Sequence, residues 1–203
     1  ELIDKNIPVN SAVANANNDI TIKATYEAWE KGLINPILIG KVDFIKSSLK
    51  RIGWNIKDIK IINSQDEAKS ARICCQLAQK GEISLIIKGH MHTDILMSEY
   101  IKSEYSLRVK GERLSHIWFM TFDEANRGPI IITDGALNIK PSLETKKSII
   151  TNVVNFVEKI NNFDGKIAIL SATEEILEQM ESSLDAHKLT EWANDNYPKY
   201  NIF

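Results

Sequence analysis

Apolar residues fall along this chain in two alternating textures, short continuous runs and stripes at helical spacing. Pro36-Ile-Leu-Ile-Gly40 is an apolar run closed at both ends by backbone breakers, as in a strand covered on both faces. Ser11-Ala-Val-Ala-Asn15, Ile59-Lys-Ile-Ile62 and Ile83-Ser-Leu-Ile-Ile87 read as three further strands. Between them apolar residues recur three and four apart. A helix is predicted from about Asp19 to Lys31, with Ile20, Ala24, Ala28 and Trp29 on one face and Gly32 to end it. A second is predicted over Phe44 to Arg51. The third follows Ser64-Gln-Asp-Glu67, a capping-box sequence in which Ser and Glu satisfy each other's exposed amides. It carries Ala71, Cys74, Cys75 and Ala78 and stops at Gly81. Four strand–helix steps with short connections predict a parallel sheet between helices, a three-layer αβα lobe.

After about Arg113 the pattern changes. Leu114 to Phe122 and Pro129 to Thr133 read as an antiparallel pair joined by a polar turn over Asp123 to Gly128. A long helix is predicted from Leu143 to Asn161, with Ile149, Val153, Phe156 and Ile160 as its apolar stripe. Lys166-Ile-Ala-Ile-Leu170 reads as a strand. Ser171-Ala-Thr-Glu174 repeats the capping-box signature, and Asp195 to Phe203 reads as a loop that closes no element. The division expected is a first α/β lobe over 1–112 and a second α/β lobe over 113–203.

The 203 residues are 43% apolar, enough for a substantial core. A formal net charge of −2 gives no general attraction to nucleic acid or an anionic membrane, and the Lys41–Lys60 region interleaves its lysines with Asp43 and Asp58. No 18-residue apolar run exists to span a bilayer. The opening Glu1-Leu-Ile-Asp-Lys5 lacks the layout of a secretory signal. The adjacent Cys74 and Cys75 point in different directions on a helix and complete no zinc site, which fits a reducing compartment; the expected location is cytoplasmic.

Ligands of parallel sheets bind beyond the carboxyl ends of the strands. There the sequence places Lys88-Gly-His-Met-His-Thr-Asp94. Gly89 would let a ligand approach backbone, and Thr93 or Asp94 would cap the next helix, whose amides could hold a phosphate. Lys88 offers a positive charge and His92 a proton acceptor near neutral pH. A plain helix cap with surface histidines explains the same residues. His90-x-His92 lacks a third metal ligand at plausible spacing. Arg108 and Arg113-Leu-Ser115-His116 could present two guanidinium groups to an anion, or form salt bridges between lobes. Asp134 and Asn138, at the end of an apolar strand, organise either a ligand loop or a turn. A P-loop, a GxGxxG turn and a GxSxG elbow are all absent from the sequence, which disfavours nucleotide hydrolysis and serine-hydrolase chemistry.

In order along the chain, several segments resemble the phosphate acetyltransferase and phosphate butyryltransferase family. They are Ala12-Val-Ala14, Gly32-Leu-Ile-Asn-Pro-Ile-Leu-Ile-Gly40, Lys88-Gly-x-x-His-Thr-Asp94, Leu107-Arg108, Arg113-Leu-Ser-His116, Thr133-Asp-x-Ala-x-Asn-Ile-x-Pro141 and Lys166-Ile-Ala-Ile-Leu-Ser-Ala172. The resemblance implies a two-lobed fold like isocitrate and isopropylmalate dehydrogenases, a cleft between the lobes, and a homodimer. It implies transfer of a short acyl group, acetyl or butyryl, between coenzyme A and inorganic phosphate, with both as substrates and with no metal or other cofactor. On that basis Thr93 and His92 are the expected catalytic residues. Lys88, Gly89, Asp94, Arg108, Arg113, Ser115, Asp134 and Asn138 are expected to bind substrate. Members of the family continue past the position of Phe203, so the fold is expected to be incomplete at its C-terminus. The alternative is a truncated, non-catalytic remnant that binds CoA or a partner.

Overall fold

Small residues at alternate positions of the first strand decide how the N-terminal half packs. The computed structural model describes residues 7–122, 128–160 and 165–203. The chain divides into two compact units, the first running to Lys110 and the second from Gly111 to Phe203. In the first, β1 (Val9–Ala14), β2 (Ile34–Gly40), β3 (Lys60–Asn63) and β4 (Leu85–Lys88) form one parallel sheet in the order β3-β2-β1-β4. The chain steps outward from β1 to β3 and then returns past β1 to lay down β4. Right-handed crossovers therefore place the first two helices on one face and the later ones on the other.

Register sorts the apolar run into two sets, because successive residues of a strand point to opposite faces. Val13, level with Leu38 and Ile87, meets α1 (Asp19–Glu30) and α2 (Val42–Ile52) through Ile22, Ile45 and Leu49. Ala12, level with Ile37 and Ile86, meets α3 (Glu67–Gln79) and α4 (Thr93–Tyr100) through Ala71, Cys74, Leu77 and Leu96. Both Ala12 and Ala14 are fully buried, and their small side chains leave room for α3 to lie close against the sheet. Tyr26, Trp29 and Trp54 stack tilted at 5.1–5.9 Å and close the α1–α2 side.

Among the described residues Glu99, 5% exposed on α4, is the buried charge of this unit. Lys102 donates to it at 2.6 Å, Tyr105 donates through its hydroxyl, and Arg72 of α3 stands 3.5 Å away. A buried carboxylate persists only when its oxygens are satisfied in this way.

The N-cap of α3 departs from expectation. Asp66, not Ser64, accepts from the Lys69 amide at 2.7 Å, and the Ser64 hydroxyl donates instead to the Asp66 carbonyl at 3.0 Å.

The second unit pairs β5 (Ile117–Met120) antiparallel with β6 (Ile130–Thr133). The predicted turn between them falls largely on residues 123–127, outside the described residues. α5 (Leu143–Ile160) packs Ile150, Val153, Val154 and Val157 against Leu189 and Ala193 of α6 (Glu181–Asn196). Lys146 and Asp185 tie the two helices at 2.6 Å. Asn161, where α5 was expected to end, lies outside the described residues. Two expectations fail here. The 166–170 strand shrinks to β7 (Lys166–Ile167), and the terminal stretch is no open loop. Asn201–Ile202 form β8, parallel to β7, and Phe203 donates to the Ile167 carbonyl at 3.0 Å. The 171–174 signature, which fits the start of either a helix or a loop, opens a loop, and α6 begins at Glu181.

Candidate functional site

In the first unit the sheet order changes direction between β1 and β4, where open α/β sheets leave a crevice. Here the chain's own backbone closes it. The Gly89 amide donates to the Ala14 carbonyl at 2.9 Å and the His90 amide to the Asn15 carbonyl at 3.0 Å. Asn15, buried and at φ 54°, donates its side-chain amide back to the His90 carbonyl. Asn17 extends the staple: it donates to Asn15 Oδ1 at 2.5 Å and accepts from the Lys41 amide at 2.7 Å. Three loops, after β1, β2 and β4, are thereby fixed to one another.

The amides around Gly89, expected to hold an anion, are therefore already engaged. That of Met91 turns back to the Gly89 carbonyl at 3.0 Å, and that of His92 donates to the Glu67 carboxylate at 2.9 Å. Lys88 reaches the Met91 carbonyl with Nζ at 2.8 Å. Neither Thr93 nor Asp94 caps α4. The N-cap is His92, whose side chain makes no capping bond, and Thr93 and Asp94 are the first helical residues. The sequence misjudged this turn because the acceptors that engage it, Ala14, Asn15 and Glu67, come from other elements. His92, Thr93, Asp94 and Arg108 are exposed.

The second unit gathers Arg113, Ser115, His116, Asp134 and Asn138 at the open end of the β5–β6 pair. Asp134 accepts from the His116 amide at 2.9 Å and from those of Leu137 and Asn138 at 3.2 and 3.0 Å, with Ala136 at 3.4 Å. Asn138 donates to the Leu114 carbonyl at 2.9 Å and to Asp134 itself. Thr133 donates to the His116 carbonyl at 2.8 Å. Burial raises the Asp134 pKa, but the Asn138 side chain and the amides of His116, Leu137 and Ala136 outweigh it and hold the carboxyl below its ordinary 3.8. Asp134 and Asn138 thus bind the 134–138 loop to the 113–116 segment. A Cβ on Gly135 would stand 2.8 Å from Trp118 Nε1, so a larger residue there would displace the half-exposed indole. His116 packs edge-on to Trp118 at 5.0 Å, with Nδ1 buried and without a hydrogen-bond partner among the described residues.

Sequence reasoning passed over Asn152 of α5. Its side-chain nitrogen donates to the Arg113 carbonyl at 2.8 Å and to Ser115 Oγ at 3.0 Å. A polar pair, Thr151-Asn152, interrupts the apolar Ile149-Ile150 and Val153-Val154 steps, and that interruption was the available signal. Arg108 belongs to the first unit and Arg113 to the second.

Comparison with known proteins sets these sites in context. Residues 106–202 match the family described as Phosphate acetyl/butaryl transferase. A phosphate acetyltransferase of Rickettsia felis is 33% identical over 188 residues, 92% of this chain and 53% of that protein. A phosphate butyryltransferase of Clostridium acetobutylicum is 30% identical over 183 residues, 90% of this chain and 60% of its own length. Among solved structures, a branched-chain phosphotransacylase from Enterococcus faecalis superposes with a TM-score of 0.74 at 25% identity, covering 92% of this chain and 64% of that one. A phosphotransacetylase from Streptococcus pyogenes gives 0.76 at 18% identity, covering 100% and 70%. The fold is the mixed α/β fold of the phosphotransacylases. In sequence the chain is similar to phosphate acetyltransferases and phosphate butyryltransferases, and it spans about half the length of the curated relatives it matches.

Among the described residues no helix is long and apolar enough to cross a membrane.

Proposed function

We propose that the chain carries part of a phosphate acyltransferase, which moves a short acyl group, acetyl or butyryl, between coenzyme A and inorganic phosphate. The observation that carries this is the 33% identity to a phosphate acetyltransferase along 92% of the chain. In the proposed reaction a phosphate oxygen attacks the thioester carbonyl carbon, the C–S bond breaks, and coenzyme A leaves as a thiolate that takes up a proton. In reverse the thiol must lose that proton, and with a pKa near 8.5 it needs a base. His92 is the candidate for that base and Thr93 for a hydroxyl contact to the reacting groups. Arg113 and Ser115 are the candidate phosphate holders, supported by Asp134 and Asn138. Lys88, Asp94 and Arg108 are offered as outer substrate contacts, and Gly89 as the residue that sets the turn. Coenzyme A and phosphate act as substrates, with no resident cofactor in the scheme. The reading includes an isocitrate/isopropylmalate dehydrogenase-like two-lobed architecture, a cytoplasmic location and a homodimer.

A second reading, a non-catalytic module that binds CoA or a partner, draws on one observation. The His92 amide at the start of α4 is bonded to the Glu67 carboxylate rather than left for an anionic substrate. Release of free thiol from acetyl-CoA and butyryl-CoA in phosphate buffer, with arsenate as an alternative acceptor, separates the two. Turnover supports the transferase; CoA binding without turnover with any acceptor would replace it by the binding module.

A further inference from the structure

The hydrogen-bond polarity around Ser115 points to a role for Asn152. The amide nitrogen of Asn152 carries two protons and no available lone pair. One proton goes to the Arg113 carbonyl at 2.8 Å, an acceptor that fixes which end of the amide faces the 113–115 segment. The other goes to Ser115 Oγ at 3.0 Å. Ser115 must therefore accept from Asn152, and its own hydroxyl proton points elsewhere. Among the described residues that proton meets no acceptor, and Ser115 is only half-buried, so a ligand can reach it. The backbone on either side is held as well, by Asn138 at the Leu114 carbonyl and by Asp134 at the His116 amide.

We infer that Asn152 is a positioning residue. It fixes Ser115 as a hydrogen-bond donor toward an anionic oxygen of the substrate. This inference rests on the acyltransferase reading for the identity of the anion, inorganic phosphate, but its geometry lies wholly within the second unit. A hydroxyl that already accepts one hydrogen bond is polarised toward donating the next. Losing its bond to a charged oxygen should weaken binding about tenfold or more.

The test measures inorganic phosphate binding to the full chain by calorimetry, alongside thiol release from acetyl-CoA. The variants are Ser115→Ala, Asn152→Ala, their combination, and the isosteric Asn152→Asp. Each single alanine variant should weaken phosphate binding about tenfold, and the pair should be no worse than Ser115→Ala alone, because Asn152 acts through that hydroxyl. Asn152→Asp turns the donor into an acceptor, draws the Ser115 proton toward itself and should weaken phosphate further than alanine does. In turnover the loss should appear in KM for phosphate, with KM for acetyl-CoA unchanged. Thermal melts monitor folding, and a variant that melts early is read through Ser115→Ala and Asn152→Asp. Multiplicative losses in the double variant, or phosphate affinity in Asn152→Asp equal to that of the parent chain, overturn the inference. A parent chain that binds phosphate without acyl transfer removes the transferase reading and leaves the positioning role open to the same cycle. A parent chain that binds no phosphate overturns both.

Discussion

Gly89 lies so close to the Ala14 carbonyl that a Cβ on it would stand 2.5 Å from that oxygen and 2.7 Å from the Asn15 oxygen. Both obstacles are backbone, so neither can swing aside as a side chain would. Gly89→Ala must push β4 away from β1 or break the bonds that the Gly89 and His90 amides make across them. The expected cost is about 2–3 kcal/mol, in the range of overpacking a close-fitted core. Urea denaturation followed through Trp29 and Trp54 should show an earlier midpoint. An unchanged midpoint would mean the turn is looser than this geometry states.

The Glu67 carboxylate accepts from the amide of His92, the N-cap residue of α4. Helix N-termini favour negative charge, and the chain supplies its own. Glu67→Gln keeps a hydrogen-bond acceptor but removes the charge, at an expected cost of no more than about 1 kcal/mol. Added inorganic phosphate should then raise the melting temperature of the variant more than that of the parent chain. If phosphate shifts both equally, the start of α4 takes no part in anion binding.

These two contacts mark where the sequence stops being informative. The Pro36–Gly40 run and the Ala12/Ala14 alternation announce a buried parallel sheet because two-sided burial leaves a local signature. Helix α6 hid because its buried face is small or polar, with Ser183 and Ala193 beside a single large Leu189. The pairing of Lys166 with Asn201 hid because it joins residues far apart, each with only a two-residue strand. At the candidate sites Arg113 and Ser115 were legible as polar groups before one strand and Asp134 and Asn138 as polar groups after another, two sites that only the fold joins. Their division of labour was not, since it depends on which amide each oxygen meets. The Gly89 turn shows the same limit from the other side: its glycine was noticed, but for a ligand's approach rather than for that of β1.

Cys74 and Cys75 should be silent toward thiol reagents in the folded chain. Burial pushes the Cys74 thiol up to about 12, with the neighbouring Cys75 adding to it, and burial pushes Cys75 up to about 11. Only the thiolate reacts, and at pH 8 almost none forms at either position. Both are also closed off from solvent by the packing of α3. A disulfide-exchange reagent at pH 8 should therefore titrate no thiol in buffer and two per chain in denaturant. Rapid reaction of either cysteine under native conditions would show that α3 opens far more often than its packing implies.

Asp134 should make the second unit sensitive to acid. Its carboxyl is held below 3.8 in the folded chain despite burial, which acts the other way, because the Asn138 side chain and three backbone amides favour the charged form. The unfolded chain therefore binds this proton more readily than the folded one, and stability falls as pH drops. The contribution is complete above about pH 4 and is lost as the pH falls through the lowered folded value. Asp134→Asn replaces a multiple acceptor with a weaker one and should cost about 2 kcal/mol at pH 7. Other carboxylates titrate in both chains, so the quantity to follow is the difference between parent and variant. Amide exchange of His116 and Leu137, whose donors meet this carboxylate directly, reports that difference at the loop itself. The difference should hold steady from pH 7 to about pH 5 and shrink below about pH 4. A gap that stays constant down to pH 2.5 would show that the folded chain does not favour the ionised carboxyl, and that Asp134 holds the loop by shape rather than by charge.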